Sequence, residues 1–143
     1  MNDDTISLLK ECNAGCKMAT SSIEQVMPSV MEEKMRELLH HYNRKHIAIG
    51  DACHELLNKE GKDEKDPHPV AKAFSWFSAE MKMMINDKPN HIAKLLMDGC
   101  NMGIQSVSEY LNKYETADEK SKELAKQLVN CEEEFLDKLK EFL

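Results

Sequence analysis

The stretches NAGCKMATSSI (residues 13–23) and DGCNMGIQSV (residues 98–107) share one pattern, Gly-Cys-x-Met followed by Ser and a β-branched apolar residue. Farther along the chain, each is followed by an Asn with a polar residue three positions later, in NRKH (43–46) and in NCEE (130–133). We interpret this repetition as a duplicated pair of helices. The matched polar positions are then expected to face one another inside a helical bundle.

Composition and charge favour a soluble all-helical protein. The chain has 143 residues, of which 41% are hydrophobic and 31% are charged, and it contains only 5 Gly and 4 Pro. The net charge of −7 argues against sequence-independent binding to nucleic acid or to anionic lipid, because both need a basic surface. No apolar run is long enough to span a membrane. Since no apolar leader segment is visible, we expect a cytoplasmic protein.

The five cysteines, at positions 12, 16, 53, 100 and 131, argue against a disulfide framework. Their number is odd and no Cys-x-x-Cys pair is present. Free thiols are among the most buried groups in proteins. Each cysteine is therefore expected, by default, to be a small core residue.

Apolar spacing predicts five helices, over residues 4–27, 30–59, 70–86, 91–114 and 118–142. In the first two helices, the apolar residues recur in steps of three and four, which places them on one narrow stripe. The stripes contain Leu9, Cys12, Cys16, Ala19, Ile23 and Val26 in the first helix, and Leu39, Tyr42, His46, Ile49, Cys53 and Leu56 in the second. His46 is therefore expected to face the interior.

Two of the later predicted helices have features of their own. The helix over residues 70–86, which contains Trp76, is the most aromatic part of the chain, and we expect it to pack across the bundle. In the helix over 91–114, Gly99 and Gly103 cost up to about 1 kcal/mol each relative to Ala. Such glycines indicate close approach of a neighbouring helix or of a bulky ligand.

The lengths of the connections predict the architecture. A short turn at Pro28 and another near residues 115–118 make two antiparallel helical hairpins. A long segment that contains the helix over 70–86 joins the hairpins. This arrangement predicts an antiparallel four-helix bundle of the ferritin type, with residues 1–143 as a single domain.

The chain resembles ferritin-like four-helix-bundle proteins, and in particular a bacterial family of ferritin-like proteins of unknown function. The resemblance covers nearly the whole chain and depends on the order and spacing of four features. These are the Gly-Cys pair at 15–16, Asn-x-x-His at 43–46, WFSAEMK at 76–82 and the Gly-Cys pair at 99–100.

The resemblance implies where a metal site would lie. Metal-binding members of the wider group carry one Glu on each of two helices and a Glu-x-x-His motif on each of the other two. In this chain the matched positions are Cys16, Asn43 with His46, Cys100, and Asn130 with Glu133. His46 alone keeps the expected residue type. Because a di-iron site needs about four carboxylates, we expect no di-iron centre and no ferroxidase, iron-storage or oxygen-activating function.

Three hypotheses remain for Cys16 and Cys100. The first is core packing, where small residues let two helices approach closely. The second is a soft metal site for Zn²⁺ or, with fewer ligands, for Cu⁺. Its ligands, one from each bundle helix, would be Cys16, His46, Cys100 and Glu133. The third is a reversible disulfide between Cys16 and Cys100, which requires their Cα atoms to lie within about 7 Å.

The matched polar residues have a further interpretation without a metal. A buried histidine needs hydrogen-bond partners, and a network that supplies them can persist where a metal site has been lost. The members of this predicted buried network are Asn43, His46, Asn130 and Glu133.

These observations favour a ferritin-like bundle protein without enzymatic activity, which takes part in molecular interactions or in stress physiology and has no cofactor. The alternative is a protein that binds or senses a soft metal, Zn or Cu, through the Cys, His and Glu of its core. No Ser-His-Asp order, Gly-rich phosphate loop or paired-carboxylate arrangement is recognisable, so no catalytic residue is predicted. A homodimer is expected from the resemblance, because ferritin-like bundles often pair through helix faces.

Overall fold

The computed structural model describes residues 1–61 and 88–143 of the chain. Within these two ranges the chain forms α-helices and no strand, which confirms the all-α fold class. We number the helices α1 (Asp3–Val26), α2 (Glu33–Lys59), α3 (Pro89–Lys113) and α4 (Glu119–Leu139). Short 3₁₀ segments follow α1 and α4, at Met27–Ser29 and Lys140–Phe142. The helix predicted over residues 70–86 lies outside the described residues.

Side-chain caps define the starts of α1 and α4. The side chain of Asn2 accepts a hydrogen bond from the backbone N–H of Thr5 at 2.8 Å. Asp118 accepts one from the N–H of Ser121 at the same distance. Each cap satisfies a backbone donor that has no partner within its own helix. Helix α3 begins instead with Pro89 in its first turn, where a missing N–H costs nothing.

Proline and glycine end the first two helices. Pro28 lies in the 3₁₀ segment after α1, and it cannot continue an α-helix because it lacks the N–H and crowds the preceding turn. Gly61 follows α2 with a φ of 64°. This left-handed conformation is readily adopted only by glycine, and it closes the last turn of the helix.

The helices pack around one apolar core. The most extensive contacts join α1 to α2 and α3 to α4, while α1 also contacts α3 and α4, and α2 contacts α4. Each large apolar side chain that is fully buried stabilises the fold by about 1.5–3 kcal/mol. The largest of these in the described part of the chain include Leu8, Leu9, Ile23, Met35, Leu39, Leu57, Ile92, Leu128 and Leu139. None of the helices in residues 1–61 and 88–143 is both long enough and apolar enough to cross a membrane.

The beginning of α1 is tied to the connection between α3 and α4. The Asp4 carboxylate accepts hydrogen bonds from the N–H and the hydroxyl of Thr116, at 3.0 and 2.7 Å. These bonds lower the pKa of Asp4. Asn2 donates to the Thr116 carbonyl at 2.7 Å, and the Asp118 N–H donates to the Thr5 hydroxyl at 2.8 Å. The start of α1 and the end of α3 therefore lie at the same end of the molecule.

Three of the four glycines within the described helices have different surroundings. A Cβ on Gly50 of α2 would lie 3.1 Å from the Cβ of Cys16, so the missing side chain lets α1 and α2 approach closely. A Cβ on Gly103 would lie 3.1 Å from Oε2 of Glu132, whereas a Cβ on Gly99 would meet no described atom within 4 Å. The close approach predicted for the two glycines of α3 is therefore found at Gly103 and is absent, among the described residues, at Gly99.

Alanine substitutions at two of these glycines should shift stability in opposite directions. Gly99→Ala should raise the free energy of unfolding by about 1 kcal/mol, because alanine favours the helix and its Cβ meets no described atom within 4 Å. Gly50→Ala should lower it by about 1 kcal/mol, since the crowding against Cys16 costs more than the gain in helix propensity. Urea denaturation of both variants tests this, and a stabilising Gly50→Ala would contradict the close α1–α2 contact.

Candidate functional site

Three of the four predicted ligand residues lie in the core, and the fourth does not. His46 on α2 is 0% exposed, Cys16 on α1 is 2% exposed and Cys100 on α3 is 3% exposed. Glu133 on α4 is exposed to solvent, and the buried carboxylate of that helix belongs to the preceding residue, Glu132. The prediction that Glu133 faces the interior is therefore wrong by one position.

The rotation of α4 about its own axis explains why Glu132 is buried and Glu133 is exposed. The buried face of the helix includes Leu128 and Phe135, and Glu132 lies four residues after the first and three before the second. Those steps place Glu132 on the same face. Asn130 and Glu133 fall outside that face and are both exposed, so neither belongs to the predicted buried network. The spacing of apolar residues in this helix places Glu132 on the buried face. The motif spacing taken from the resemblance had instead selected Glu133 as the buried residue.

His46 and Glu132 form a buried pair that joins α2 to α4. The ring Nε2 of His46 contacts Oε1 of Glu132 directly. The other ring nitrogen, Nδ1, donates to the carbonyl of Tyr42, one turn earlier in α2, at 2.7 Å. Because both nitrogens face oxygen acceptors, the geometry suits an imidazole that carries two protons. A doubly protonated imidazole beside a carboxylate is an ion pair.

The surroundings of His46 favour its charged form. Burial by itself lowers the pKa of His46, but contacts with Cys131 and Glu132 outweigh burial and raise that pKa from 6.5 to about 10. The folded-state pKa is thus above the value of the unfolded chain. The pair's contribution to stability is then fully present below about pH 6.5 and is lost as the pH rises through about 10.

Thiols surround this pair. The Sγ atom of Cys131 lies 3.9 Å from each ring nitrogen of His46. Burial, followed by the charge and the hydrogen bond of Glu132, raises the pKa of Cys100. Burial also raises the pKa of Cys16, with smaller contributions from Cys53 and Glu132. Because the thiolate is the reactive form, the raised pKa values favour the neutral, unreactive thiol at Cys16 and Cys100.

All five cysteines are buried and free. This arrangement agrees with the core-packing hypothesis for Cys16 and Cys100, which the exposures of both side chains support. A reversible disulfide between the two stays a prediction. Its formation would require a thiolate, and burial disfavours that form at both positions.

Aromatic contacts hold α2 and α4 together beside the pair. The rings of Tyr42 and Phe135 stack with their centroids 4.8 Å apart, and the ring of Phe135 meets His46 edge-on at 6.4 Å. On the surface of the same interface, Lys45 bonds Glu134 at 2.9 Å. The stacked rings stabilise the contact between the two helices, whereas the exposed salt bridge adds little.

Asn43, the remaining member of the predicted network, does not join the pair. Its Oδ1 atom is buried and has no hydrogen-bond partner among the described residues. Asn43 lies one turn before His46 on α2, where the carbonyl of Tyr42 already accepts the Nδ1 proton. The network found in the structure therefore replaces Asn43, Asn130 and Glu133 with Tyr42 and Glu132.

Two openings lead towards the pair from different sides. A cleft of about 70 Å³ lies between α1 and α3, and Glu132 and Cys100 are among the residues that line it. Small residues of both helices also line the cleft, among them Gly15, Ala19, Ser22, Gly99 and Ser106. A wider groove of about 280 Å³ lies between α1 and α2 and reaches Cys16 and His46. The buried centre is thus separated from each opening only by its own side chains.

The centre does not fit a di-iron group. Residues 1–61 and 88–143 contain no set of three or more His, Cys, Asp or Glu side chains placed to hold a metal ion. Glu132 is already engaged by His46, and the predicted ligand positions on α1 and α3 carry thiols. Iron sites of this kind need several hard carboxylate ligands, which this donor set lacks.

Comparisons with protein-family models, with curated proteins and with solved structures gave no match.

The two neighbouring glutamates of α4 provide a matched test of the pair. Glu132→Gln should lower the free energy of unfolding by about 3 kcal/mol at pH 6, because removing one partner leaves the other buried without its counter-charge. Glu133→Gln, an identical change at an exposed position, should change it by less than about 0.5 kcal/mol. Chemical denaturation of both variants measures the difference. Equal effects of the two substitutions would rule out the assigned role of Glu132.

Proposed function

We propose that the protein is a ferritin-like four-helix bundle in which a buried His46–Glu132 ion pair stands where related bundles hold two metal ions. Its role is non-enzymatic, in molecular interactions or in stress physiology. One observation carries this proposal: the buried carboxylate of α4 binds the histidine of α2 directly. A carboxylate and an imidazole that neutralise one another need no metal ion between them.

The packing of the helices supports the ferritin-like part of the proposal. Helices α1 and α2 are joined by a short connection and make extensive contacts, as do α3 and α4. The start of α1 lies beside the end of α3, so α1 runs antiparallel to α3 and parallel to α4. Two hairpins related in this way require a long crossover between α2 and α3, which is the arrangement of ferritin-like folds.

Iron binding provides the test of this proposal. The full chain, loaded with Fe²⁺ without oxygen and then desalted, should retain far less than one iron per chain. On exposure to air, it should oxidise added Fe²⁺ no faster than an equal amount of Glu132→Gln protein. Two iron ions per chain, or an oxidation rate that depends on Glu132, would overturn the loss of di-iron chemistry.

A second candidate function is binding or sensing of a soft metal at the same centre. The observation that favours it is that Glu132 raises the pKa of two buried thiols, Cys16 and Cys100, and contacts His46, a nitrogen donor. Two sulfurs, one nitrogen and one oxygen suit tetrahedral Zn²⁺. Because no three such donors are placed for a metal ion in the described residues, binding there must rearrange these side chains and separate His46 from Glu132, which costs the energy of the pair.

Zinc uptake distinguishes this second candidate from the first. If the centre binds Zn²⁺, the chain purified without chelator should carry about one zinc, and replacing Cys16 and Cys100 together by Ala should abolish uptake. Elemental analysis of both proteins measures this. Zinc retained by the double variant would exclude these thiols as ligands, and zinc absent from the wild-type chain would leave the metal-free pair.

A further inference from the structure

The interface between α1 and α2 contains a second group of cysteines, apart from the His46–Glu132 pair. Cys12 and Cys53 are both 0% exposed, and Cys16 lies one turn along α1 from Cys12. We propose that Cys12 and Cys53 form a binding site for one monovalent soft metal ion of the Cu⁺ class, which reaches the site from the groove beside Cys16.

The register of the two helices places these sulfurs together. Gly50 of α2 lies against Cys16 of α1, with 3.1 Å between the Cβ of Cys16 and the position of a Cβ on Gly50. Because α1 and α2 are antiparallel, a step of one turn back along α1 and one turn forward along α2 brings Cys12 opposite Cys53. In agreement with this register, a side-chain hydrogen bond with Cys53, together with burial, raises the pKa of Cys12.

The number and type of donors select the metal. Thiolate sulfur is a soft ligand that favours Cu⁺ over hard divalent ions. Cu⁺ is stable with two sulfur ligands, whereas Zn²⁺ needs four ligands in a closed site. The described residues offer no set of three or more donors placed for a metal, but a two-sulfur site needs only two neighbouring thiols, which the register of α1 and α2 provides at Cys12 and Cys53. Each sulfur exchanges its proton for the metal, so one Cu⁺ displaces two protons.

The groove between α1 and α2 supplies access. It has a volume of about 280 Å³ and is lined by Asn13, Cys16, Asp51 and His54, among others. Gly50 also lines the groove, and because it has no side chain it does not obstruct the groove. Cys16 is the cysteine among the residues that line the groove, and Cys53 is the first neighbour that raises the pKa of Cys16 after burial itself. An ion in the groove thus contacts a thiol that lies one turn along α1 from Cys12.

This inference is independent of the proposed loss of di-iron chemistry. Cu⁺ binding at Cys12 and Cys53 leaves the His46–Glu132 pair intact, whereas a soft metal at the central site must separate it. Failure of the copper experiment would leave the iron prediction untouched. If Cu⁺ binding depended on Cys100 and not on Cys12 and Cys53, the metal would instead lie at the His46–Glu132 centre.

Competition for Cu⁺ tests the site on the full reduced chain without oxygen, with bicinchoninate as the competing chelator. The wild-type chain should withhold one Cu⁺ per molecule. Loss of a group that only orients a ligand already costs about 10- to 100-fold in affinity, so Cys12→Ser and Cys53→Ser should each lower the affinity by at least about 100-fold. Cys131→Ser, a buried cysteine on α4, is the matched control and should change it by less than about threefold.

X-ray absorption of the copper-loaded wild-type chain provides a second measurement that does not depend on the folding of any variant. Two sulfur ligands and no nitrogen ligand are expected. A nitrogen ligand would indicate a histidine of the groove, His46 or His54, and overturn the assignment. An affinity loss confined to Cys100→Ser would overturn it as well. A wild-type chain that withholds no Cu⁺ from bicinchoninate would also overturn it.

Discussion

Burial of the charged pair between His46 and Glu132 is the constraint on which the interior of this protein depends. Transfer of two charges into an apolar core costs several kcal/mol for each ion and is recovered only when geometry and hydrogen bonding are both favourable. The backbone carbonyl of Tyr42 satisfies the second ring nitrogen, and the missing side chain of Gly103 leaves space for the carboxylate. The position of α4 relative to α2 is therefore set by the contact of Glu132 with His46. Its position relative to α3 is set by the contact of Glu132 with Gly103.

The buried thiols contribute to the interior in two ways, beside the ion pair and between α1 and α2. A core made only of branched apolar residues would leave the charged pair without polarisable neighbours, whereas Cys100 and Cys131 place sulfur beside it. Cysteine is also small, and with Gly50 it lets α1 and α2 pack closely. The interior thus has two chemically different parts, an ion pair between α2 and α4 and a thiol pair between α1 and α2. We expect any ligand chemistry of the protein to follow that division.

The helices could be predicted from the sequence because their signals are local. Apolar residues recur every three or four positions, which places His46, Cys16 and Cys53 in the interior, and the structure agrees. The carboxylate partner could not be found in the same way, because Glu132 and Glu133 are chemically identical neighbours. Only the rotation of α4 against the neighbouring helices decides between them. Motif spacing taken from metal-binding helical proteins assumes that a metal sets this rotation, whereas here Leu128 and Phe135 set it.

The protonation state of His46 tests most directly whether His46 and Glu132 form a buried ion pair. A pH titration of the full chain, followed by NMR of the His46 ring, measures its pKa in the folded state. We predict a pKa far above the ordinary 6.5, at about 10, because contacts with Cys131 and Glu132 outweigh burial. A measured pKa at or below 6.5 would show that burial prevails and that the ring is neutral. The ion pair would then not exist, and the packing around it would need another explanation.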